Sequence, residues 1–442
     1  MMYPLTDNLL NTDTIAWNEH GDITHAQFLT DVYKLTQLLP EKKFAINLCE
    51  KRYNFMVVFA AVIVRLQTNL LPQNRSVENL LGIAEEYEDC YTINEEKLET
   101  LNIEQFVLDE DLFASRIVDE HISTPEIPSN HLAALVFTSG STGKPQANNK
   151  TWKALVCGAR MAAEFFKLAD NPVHIIATVP PQHMYGLESS VLYCLQNGCP
   201  IYNGKPFYPE DIRLAARQAK QPVVLVTTPV HLRACSKVRE LSWENIKFVI
   251  SATAPLRELL AKEVTSLLKT RIFEIYGCTE AGAIAARETI NSTKWNLYKG
   301  IKIHQHDNKT FIELPFFDNN IEVNDVIDVV NDSQFRLVGR CNDMVNIAGK
   351  RGSLADLTMK LQSIDGIDDA VVYLPDEENE INRLVAFIVA KNVDEVAISN
   401  ELAKSVDRVF IPRPIFNVKA LPYNETGKLT RKDLVKMHQQ CK

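Results

Sequence analysis

The sequence lacks the features that indicate several large classes of protein. It has no tract of basic residues, and its net charge of −9 argues against binding to nucleic acid or to an anionic membrane surface. Its nine cysteines form no C-x-x-C pair and no Cys/His group with metal-ligand spacing. Such a set favours a reducing compartment, and we expect a cytoplasmic protein. No internal repeat and no low-complexity linker interrupts the chain.

No segment is expected to enter or cross a membrane. The first residues, MMYPLTDNLLNTD, have neither the basic start nor the apolar stretch of a signal peptide, so we expect none. The longest apolar run, Phe55 to Val64, is too short to span a bilayer. A buried helix is the better interpretation of this run.

What the chain does contain is an alternation of helical and strand-like patterns. Helices are predicted at 22–39, 51–66, 151–167, 209–220 and 255–269. Strands are predicted at 132–137, 173–179, 222–227, 246–250 and 271–275, with a strand end at 69–72. The alternation predicts an α/β fold in which a largely parallel sheet is covered by helices.

The pattern changes towards the end of the chain, and 442 residues are enough for at least two domains. After about residue 297, short strands alternate with polar turns, at 301–304, 310–315 and 334–338. A helix, two strands and a helix then follow at 353–363, 369–374, 383–390 and 396–408. We predict a large N-terminal domain of mixed sheets, residues 1–340, and a small, mobile α+β domain, residues 341–442.

A loop rich in glycine and hydroxyl groups, FTSGSTGKPQANNK, follows the predicted strand LAALV. The loop is not the G-x-x-x-x-G-K-[ST] loop of nucleotide triphosphatases, because only two residues separate its glycines and proline follows its lysine. Its glycines allow an anion to approach, its hydroxyls donate hydrogen bonds and its lysine adds charge. A phosphate site is therefore one interpretation, and a plain turn is the other. The residues concerned are Thr138, Ser139, Gly140, Ser141, Thr142, Gly143 and Lys144.

Three further motifs are ambiguous when each is taken alone. EIYGCTEAG, 274–282, places Thr279-Glu280 after a strand, which fits either a helix cap or a Mg²⁺ carboxylate. DVIDVVNDSQFRLVGR, 325–340, reads as an ordinary hairpin. LPYNETGKLTRKDL, 421–434, puts Lys428 on a turn, where a lysine is usually only solvated.

Taken in order, the four motifs resemble those of the adenylate-forming superfamily, which includes acyl-CoA synthetases, the adenylation domains of peptide synthetases, and luciferases. The resemblance runs from about residue 50 to the C-terminus. It implies an enzyme that uses ATP and Mg²⁺ to convert a carboxylic acid into an acyl-adenylate, which a thiol then attacks. It also implies a C-terminal domain that rotates between the two half-reactions.

The resemblance assigns a role to each matching residue. Residues 138–144 would hold the pyrophosphate portion of ATP, with Lys144 as the loop lysine; Gln146 and Ala147 depart from the usual lysine and glycine. His183, in PPQHMYGL, would be the gate beside the acid pocket. The nucleotide would lie against Ala252, Thr253 and Ala254 of SATAP, against Tyr276 and Gly277, and against Asp325 and Arg340 at its ribose. Thr279 would contact the α-phosphate, Glu280 would bind Mg²⁺, Asn342 would be the hinge, and Lys428 would be catalytic.

The resemblance also narrows the acid and the thiol. The segment HMYGLE lacks the Asp that pairs with an α-ammonium in amino-acid adenylation, so we expect an acid without an α-amine; Glu188 is expected to point into the following helix. Only 44 residues separate Glu280 from Asp325, a compact form that resembles the ligases of aryl-polyene and xanthomonadin-type pigment clusters. That form implies an aromatic acid and an acyl carrier protein. An acyl- or aryl-CoA ligase and a non-catalytic nucleotide-binding scaffold remain the alternatives.

Overall fold

A computed structural model describes residues 1–113, 121–139, 145–170, 172–238, 243–307, 309–340, 344–347, 350–375, 383–391, 394–423 and 429–441. The predicted site residues Gly140, Ser141, Thr142, Gly143, Lys144, Asn342 and Lys428 lie outside this described part. For Ser139 and Arg340 the backbone is described and the side chain is not.

The strands, in chain order, are β1 (Met2–Pro4), β2 (Thr14–Asn18), β3 (Gly21–Thr24), β4 (Phe44–Asn47), β5 (Thr68–Leu71), β6 (Cys90–Asn94), β7 (Gln105–Val107), β8 (Glu126–Pro128), β9 (Leu132–Ser139), β10 (Pro145–Thr151), β11 (His174–Ala177), β12 (Ile201–Tyr202), β13 (Val223–Thr227), β14 (Ile246–Ser251), β15 (Arg271–Cys278), β16 (Gly282–Glu288), β17 (Trp295–Leu297), β18 (Lys302–His306), β19 (Lys309–Glu313), β20 (Ile321–Val323), β21 (Asp325–Asn331), β22 (Gln334–Arg340), β23 (Met344–Ile347), β24 (Lys350–Ser353), β25 (Ile367–Tyr373), β26 (Val385–Ala390) and β27 (Ile415–Asn417). The α-helices are α1 (His25–Leu38), α2 (Arg52–Val64), α3 (Val77–Glu86), α4 (Trp152–Phe166), α5 (Met184–Gly186), α6 (Tyr193–Asn197), α7 (Pro209–Gln218), α8 (Pro229–Ser236), α9 (Glu258–Leu268), α10 (Leu354–Gln362), α11 (Glu395–Leu402) and α12 (Arg431–Cys441). A π-helical turn, Leu187–Leu192, joins α5 to α6.

Two large sheets form the body of the molecule. The first has the order β10-β9-β5-β4-β6-β7, in which every pair is parallel except the hairpin β9–β10. The second has eleven strands in the order β21-β22-β17-β16-β15-β14-β13-β11-β12-β2-β3. This is the predicted α/β fold of helix-covered mixed sheets.

The second sheet is parallel from β15 to β2, so the expectation of a largely parallel sheet holds there. It is wrong at the two edges, where one antiparallel pair, β2–β3, stands on one side and four stand on the other. Strands β11, β13, β14 and β15 are parallel neighbours. From β15 onwards the chain turns back on itself, and β16, β17, β22 and β21 pair antiparallel. Short connections join β15 to β16, β16 to β17 and β21 to β22, and a short connection favours antiparallel neighbours. Strand β22 returns to β17 only after residues 298–333.

The apolar run at Phe55–Val64 forms most of helix α2, which lies inside the molecule as predicted. Eleven of its thirteen residues are buried, so the helix is covered on all sides and shows no polar face. No helix in the described ranges is long and apolar enough to cross a membrane.

Three predicted helix boundaries are wrong by three residues or more, and one of them is the start of the helix predicted at 255–269, which begins at Glu258. Residues 22–24 belong to β3, and α1 begins only at His25, because the hydroxyl of Thr24 accepts a hydrogen bond from the Gln27 N–H and caps the helix there. The helix predicted at 396–408 ends at Leu402. Asp407 then caps a separate 3₁₀ turn, Arg408–Phe410, by accepting the Val409 N–H.

The C-terminal region has its own small sheet, β25-β26-β27, with a core that includes Leu357, Leu361 and Ile398 from α10 and α11. A buried ion pair fixes this region against the large sheets: Arg233 of α8 donates to Asp369 of β25 at 2.5 Å. The Tyr423 hydroxyl donates to the same carboxylate at 2.9 Å. The boundary at residues 340 and 341 remains a prediction.

We predict that Arg233→Ala loosens this contact. Because Asp369 is 6% exposed in the pair, the loss should cost the C-terminal region about 1–3 kcal/mol of stability. Hydrogen exchange should report faster exchange in β25. The matched control is Arg336→Ala, which removes a solvent-exposed pair with Asp328 and should change stability by less than about 0.5 kcal/mol. Equal effects of the two substitutions would contradict this assignment.

Candidate active site

The segments predicted to bind the nucleotide and the acid leave neighbouring strands at the same edge of the second sheet. The gate segment follows β11, the segment 251–255 begins at the last residue of β14, and Thr279-Glu280 follows β15. Since β11, β13, β14 and β15 are parallel neighbours, their carboxyl ends lie side by side. That edge is where open α/β sheets bind ligands, because the backbone groups there are not used by the sheet.

The gate segment is held at both ends by buried polar groups. Arg52, on α2, is buried and donates to the carbonyl oxygens of Ala177 and Val179 and to the Ser190 hydroxyl. Burial lowers the pKa of Arg52 to about 10. Tyr185 donates to the carbonyl oxygens of Thr227 and Ile250, at the ends of β13 and β14. His183 is the N-cap residue of the short helix α5, which contains Tyr185, and its carbonyl accepts the Leu187 N–H at 2.8 Å.

The segment SATAP contains a strained residue. Thr253 has φ 79°, a left-handed conformation that is unusual for a β-branched side chain. Its hydroxyl is buried and makes no hydrogen bond within the described residues. Glu274 of β15 fixes the end of the segment, because its Oε1 accepts the Leu256 N–H at 2.8 Å while Oε2 accepts from Arg287. A strained backbone at a residue whose buried hydroxyl lacks a hydrogen-bond partner is typical of a position that contacts a ligand.

The turn that carries Thr279 and Glu280 joins β15 to β16 in a tight hairpin. No helix starts here, so the helix-cap interpretation of Thr-Glu is wrong. The Glu280 side chain is exposed at the tip of the turn, and Thr279 is half-buried. Gly277 is required by the close return of the chain, since a Cβ there would lie 2.1 Å from the carbonyl oxygen of Gly282.

Tyr276 and Asp325 form a buried hydrogen bond. The Tyr276 hydroxyl donates to Asp325 Oδ2 at 2.6 Å. Asp325 begins β21 and pairs with Arg340 across the β21–β22 hairpin. The hairpin register explains the sequence spacing, because it brings Asp325 and Arg340 opposite each other. Three residues that the sequence analysis assigned to the adenine and the ribose therefore come together.

Thr138 and Ser139 end β9, and the phosphate-loop candidate continues from them into residues outside the described part. The hydroxyl of Thr138 lies 3.4 Å from the carbonyl oxygen of Gln146 on the returning strand β10. The described residues contain no group of three or more His, Cys, Asp or Glu side chains that could hold a metal ion.

Two buried charged residues behind the turn were not predicted as parts of the site. Lys150 of β10 donates from Nζ to the carbonyl oxygen of Glu280 at 2.7 Å. Glu188 does not point into the following helix as expected: its Oε2 accepts the Ala283 N–H of β16 at 3.0 Å. Burial raises the pKa of Glu188 to about 7, although Lys150 and the Ala283 N–H oppose the shift. The sequence carries no clear signal for Lys150, because Asn148 and Lys150, the alternate buried positions of β10, are both polar.

Comparison with known proteins identifies the family of this chain. The sequence profile described as AMP-binding enzyme matches residues 43–326, more than half of the chain. The chain belongs to the AMP-binding enzyme family. It is an acid–thiol ligase of the adenylate-forming superfamily, as the order of its motifs predicted.

Individual relatives of this AMP-binding enzyme are distant. It is 24% identical over 310 residues to a 3,4-dihydroxybenzoate–[aryl-carrier protein] ligase of Bacillus anthracis, covering 67% of the chain and 72% of that protein. It is 24% identical over 340 residues to a putative long chain fatty acid-CoA ligase, VraA, of Staphylococcus haemolyticus, covering 71% of the chain and 72% of the relative. The structure matches ATP-bound MatB from Rhodopseudomonas palustris with a TM-score of 0.84 and 15% identity, over 98% of the chain and 97% of MatB. The structural match confirms the fold class.

We predict that Gly282→Ala damages the turn of this AMP-binding enzyme. Gly282 has φ 79°, and a Cβ there would lie 2.3 Å from Glu188 Oε1. The backbone strain and the clash should together cost about 1–3 kcal/mol of stability, measured by denaturant unfolding. Gly158→Ala is the matched control, because its Cβ would meet the same oxygen at 3.4 Å from an ordinary helical position. If both substitutions were tolerated equally, Glu188 would not be packed against the turn.

Proposed function

We propose that this enzyme activates an aromatic carboxylic acid that lacks an α-amine and transfers it to the phosphopantetheine thiol of an acyl carrier protein. The observation that carries the proposal is the convergence of the gate, the SATAP segment and the Thr279-Glu280 turn at one sheet edge, with Tyr276 bonded to Asp325 beside them. The chemistry is attack of the carboxylate on the α-phosphorus with loss of pyrophosphate. Attack of the thiol on the acyl carbon then releases AMP.

The absence of an α-amine rests on the gate segment. Its one acidic residue, Glu188, accepts a backbone N–H from β16 and is 7% exposed. The remaining residues of HMYGLE offer no carboxylate for an ammonium group. The preference for an aromatic acid rests on the compact pigment-cluster form and on the 3,4-dihydroxybenzoate named for the Bacillus anthracis relative.

The acceptor is the less constrained part of the proposal. An acyl carrier protein agrees with the carrier named for that relative, and a role in the synthesis of aryl-polyene-type pigments agrees with the compact form. The second candidate is a CoA ligase, which the name of the Staphylococcus relative favours. Either enzyme would act in the cytoplasm, where the carrier or CoA is made.

Each predicted site residue keeps a proposed role. Residues 138–144 would hold the pyrophosphate portion, Thr253 and its neighbours would flank adenine, and Asp325 with Arg340 would hold the ribose. Thr279 would contact the α-phosphate, and the exposed carboxylate of Glu280 would bind Mg²⁺. The metal would offset the charge of the leaving pyrophosphate, since two anions must otherwise approach each other.

Lys428 and Asn342 belong to the proposed mobile domain, residues 341–442. Lys428 would bridge the substrate carboxylate and the α-phosphate, and Asn342 would be the hinge about which the domain turns before thiol transfer. The Arg233–Asp369 ion pair supports a position of this domain against the large one, and Tyr423, five residues before Lys428, bonds to the same Asp369.

The proposal predicts which substrates the enzyme uses. ATP–pyrophosphate exchange should occur with hydroxybenzoates or hydroxycinnamates and should be weak with amino acids. Medium-chain and long-chain fatty acids should be tested in the same exchange assay.

The second assay concerns the thiol acceptor. Acylation of a holo carrier protein, compared with CoA at equal concentration, should favour the carrier. Preference for CoA would select the second candidate, and the absence of exchange with every acid would indicate a scaffold without activity.

Glu280 and Asp325 should affect different kinetic constants. Glu280→Ala should lower the adenylation rate roughly 10²–10³-fold, because one preorganised electrostatic group is lost. Asp325→Ala should mainly raise the KM for ATP, since ribose contacts bind the ground and transition states alike. Asp328→Ala, on the same strand with an exposed side chain, is the control and should change neither constant. If Glu280→Ala left both kinetic constants unchanged, Glu280 would be an ordinary exposed carboxylate of the turn with no role in adenylation.

Lys428→Ala should separate the two half-reactions. Adenylation should fall by roughly 10²–10³-fold, the scale of removing one charge-stabilising group from the transition state, while folding is unaffected. Thioester formation from a preformed acyl-adenylate should be largely spared. Asn342→Pro should show the opposite pattern, because proline fixes φ at the hinge. Lys432→Ala, an exposed lysine on α12, serves as the control. If Lys428→Ala slowed adenylation and thioester formation equally, the result would contradict a mechanism in which the C-terminal domain alternates between two positions.

A further inference from the structure

Lys150 and Glu188 are buried charged residues for which the mechanism above has no use. Lys150 is 2% exposed and Glu188 is 7% exposed, so both charged side chains are buried. Burial of a charged group is costly unless other groups compensate for the lost water. Lys150 comes from the first sheet and Glu188 from the helix after the gate. The burial of both charges behind the same turn therefore needs a physical explanation.

Both residues bond to the backbone on either side of Glu280. Lys150 donates to the carbonyl oxygen of Glu280 itself at 2.7 Å, and Glu188 accepts the N–H of Ala283 at 3.0 Å. The first bond fixes the peptide that follows the Glu280 side chain, and the second fixes the start of β16. The turn is thus tied to two elements outside its own hairpin.

The charges of the two residues also act on each other. Burial lowers the pKa of Lys150, and the carboxylate of Glu188 is the strongest group opposing that shift. Glu188 packs so closely behind the turn that Gly282 has no room for a Cβ. A mutually attracting pair that meets the backbone at two points limits how far the turn can move.

We propose that Lys150 and Glu188 are positioning residues that hold the Glu280 turn in the orientation at which its carboxylate binds Mg²⁺ with ATP. This inference rests on the proposed role of Glu280. The physical reason is that a metal ligand at the tip of a hairpin loses affinity when its backbone can rotate away. Residues that orient a ligand commonly contribute 10–100-fold to metal affinity.

The test measures ATP binding by calorimetry with and without Mg²⁺, and so does not depend on knowing the acid. Lys150→Met keeps the apolar stem and removes the donor. It should weaken the effect of Mg²⁺ on ATP affinity by about 10-fold and leave metal-free ATP binding unchanged. Lys34→Met is the control, because Lys34 has a buried ammonium with no hydrogen bond among the described residues and lies on α1, away from the turn.

Variants of Glu188 separate positioning from a general effect on folding. Glu188→Gln keeps an oxygen for the Ala283 N–H and should bind Mg²⁺ with ATP nearly as the wild type does. Lys150→Met leaves an uncompensated carboxylate and risks poor folding. The double variant Lys150→Met/Glu188→Gln should recover stability yet retain the 10-fold loss, about the scale expected for an orienting residue, because the Glu280 carbonyl still lacks its donor.

The outcomes are distinct. A double variant with a normal response to Mg²⁺ would show that the pair only stabilises the fold, and would overturn the inference. The same follows if Lys150→Met itself responds to Mg²⁺ as the wild type does. If Mg²⁺ does not affect ATP binding by the wild-type enzyme, both the inference and the proposed metal role of Glu280 fail.

Discussion

Four parallel strands that end side by side set the position of the gate, the SATAP segment and the Thr279-Glu280 turn at the candidate site. Strands β11, β13, β14 and β15 deliver the gate, the anchors of Tyr185, the SATAP segment and the Thr279-Glu280 turn to one edge. Beyond the last ladder bond of each strand, backbone groups are available to other partners. The chain uses some backbone groups near these ends internally, because the carbonyl oxygens of Thr227 and Ile250 accept from Tyr185.

The loops at this edge are held by buried charged side chains rather than by apolar packing alone. Arg52 fixes the gate, Glu274 fixes the end of SATAP, and Lys150 with Glu188 fixes the Thr279-Glu280 turn. Arg52, Lys150 and Glu188 bond mainly to the backbone, whereas Glu274 links the Leu256 N–H to the side chains of Arg287 and Thr289. Burying these charged groups removes them from water, which costs free energy. Their hydrogen bonds nevertheless hold each loop in one geometry, which a catalytic site requires and which apolar contacts alone do not define.

The sequence predicted most of the fold and the order of the site segments. Alternating apolar patterns located the parallel strands, and the spacing of Asp325 and Arg340 reflected a hairpin register that the structure shows directly. Neighbours from distant parts of the chain could not be predicted. Nothing near Lys150 in the sequence indicates Glu280 as its partner, and the short segment HMYGLE reads as an ordinary helix whichever way Glu188 points. The boundary errors at residues 22–24 and after Leu402 arose because single caps, Thr24 and Asp407, decided where helices begin.

The central claim is that the acid attacks the α-phosphorus of ATP at this edge. The most direct measurement uses an accepted acid labelled with ¹⁸O in its carboxyl group and mass spectrometry of the products after complete turnover with ATP and the thiol. Attack at the α-phosphorus, followed by cleavage of the acyl carbon–oxygen bond, places one labelled oxygen in AMP and none in pyrophosphate. Label in inorganic phosphate together with ADP would mean attack at the γ-phosphorus, and would contradict the account.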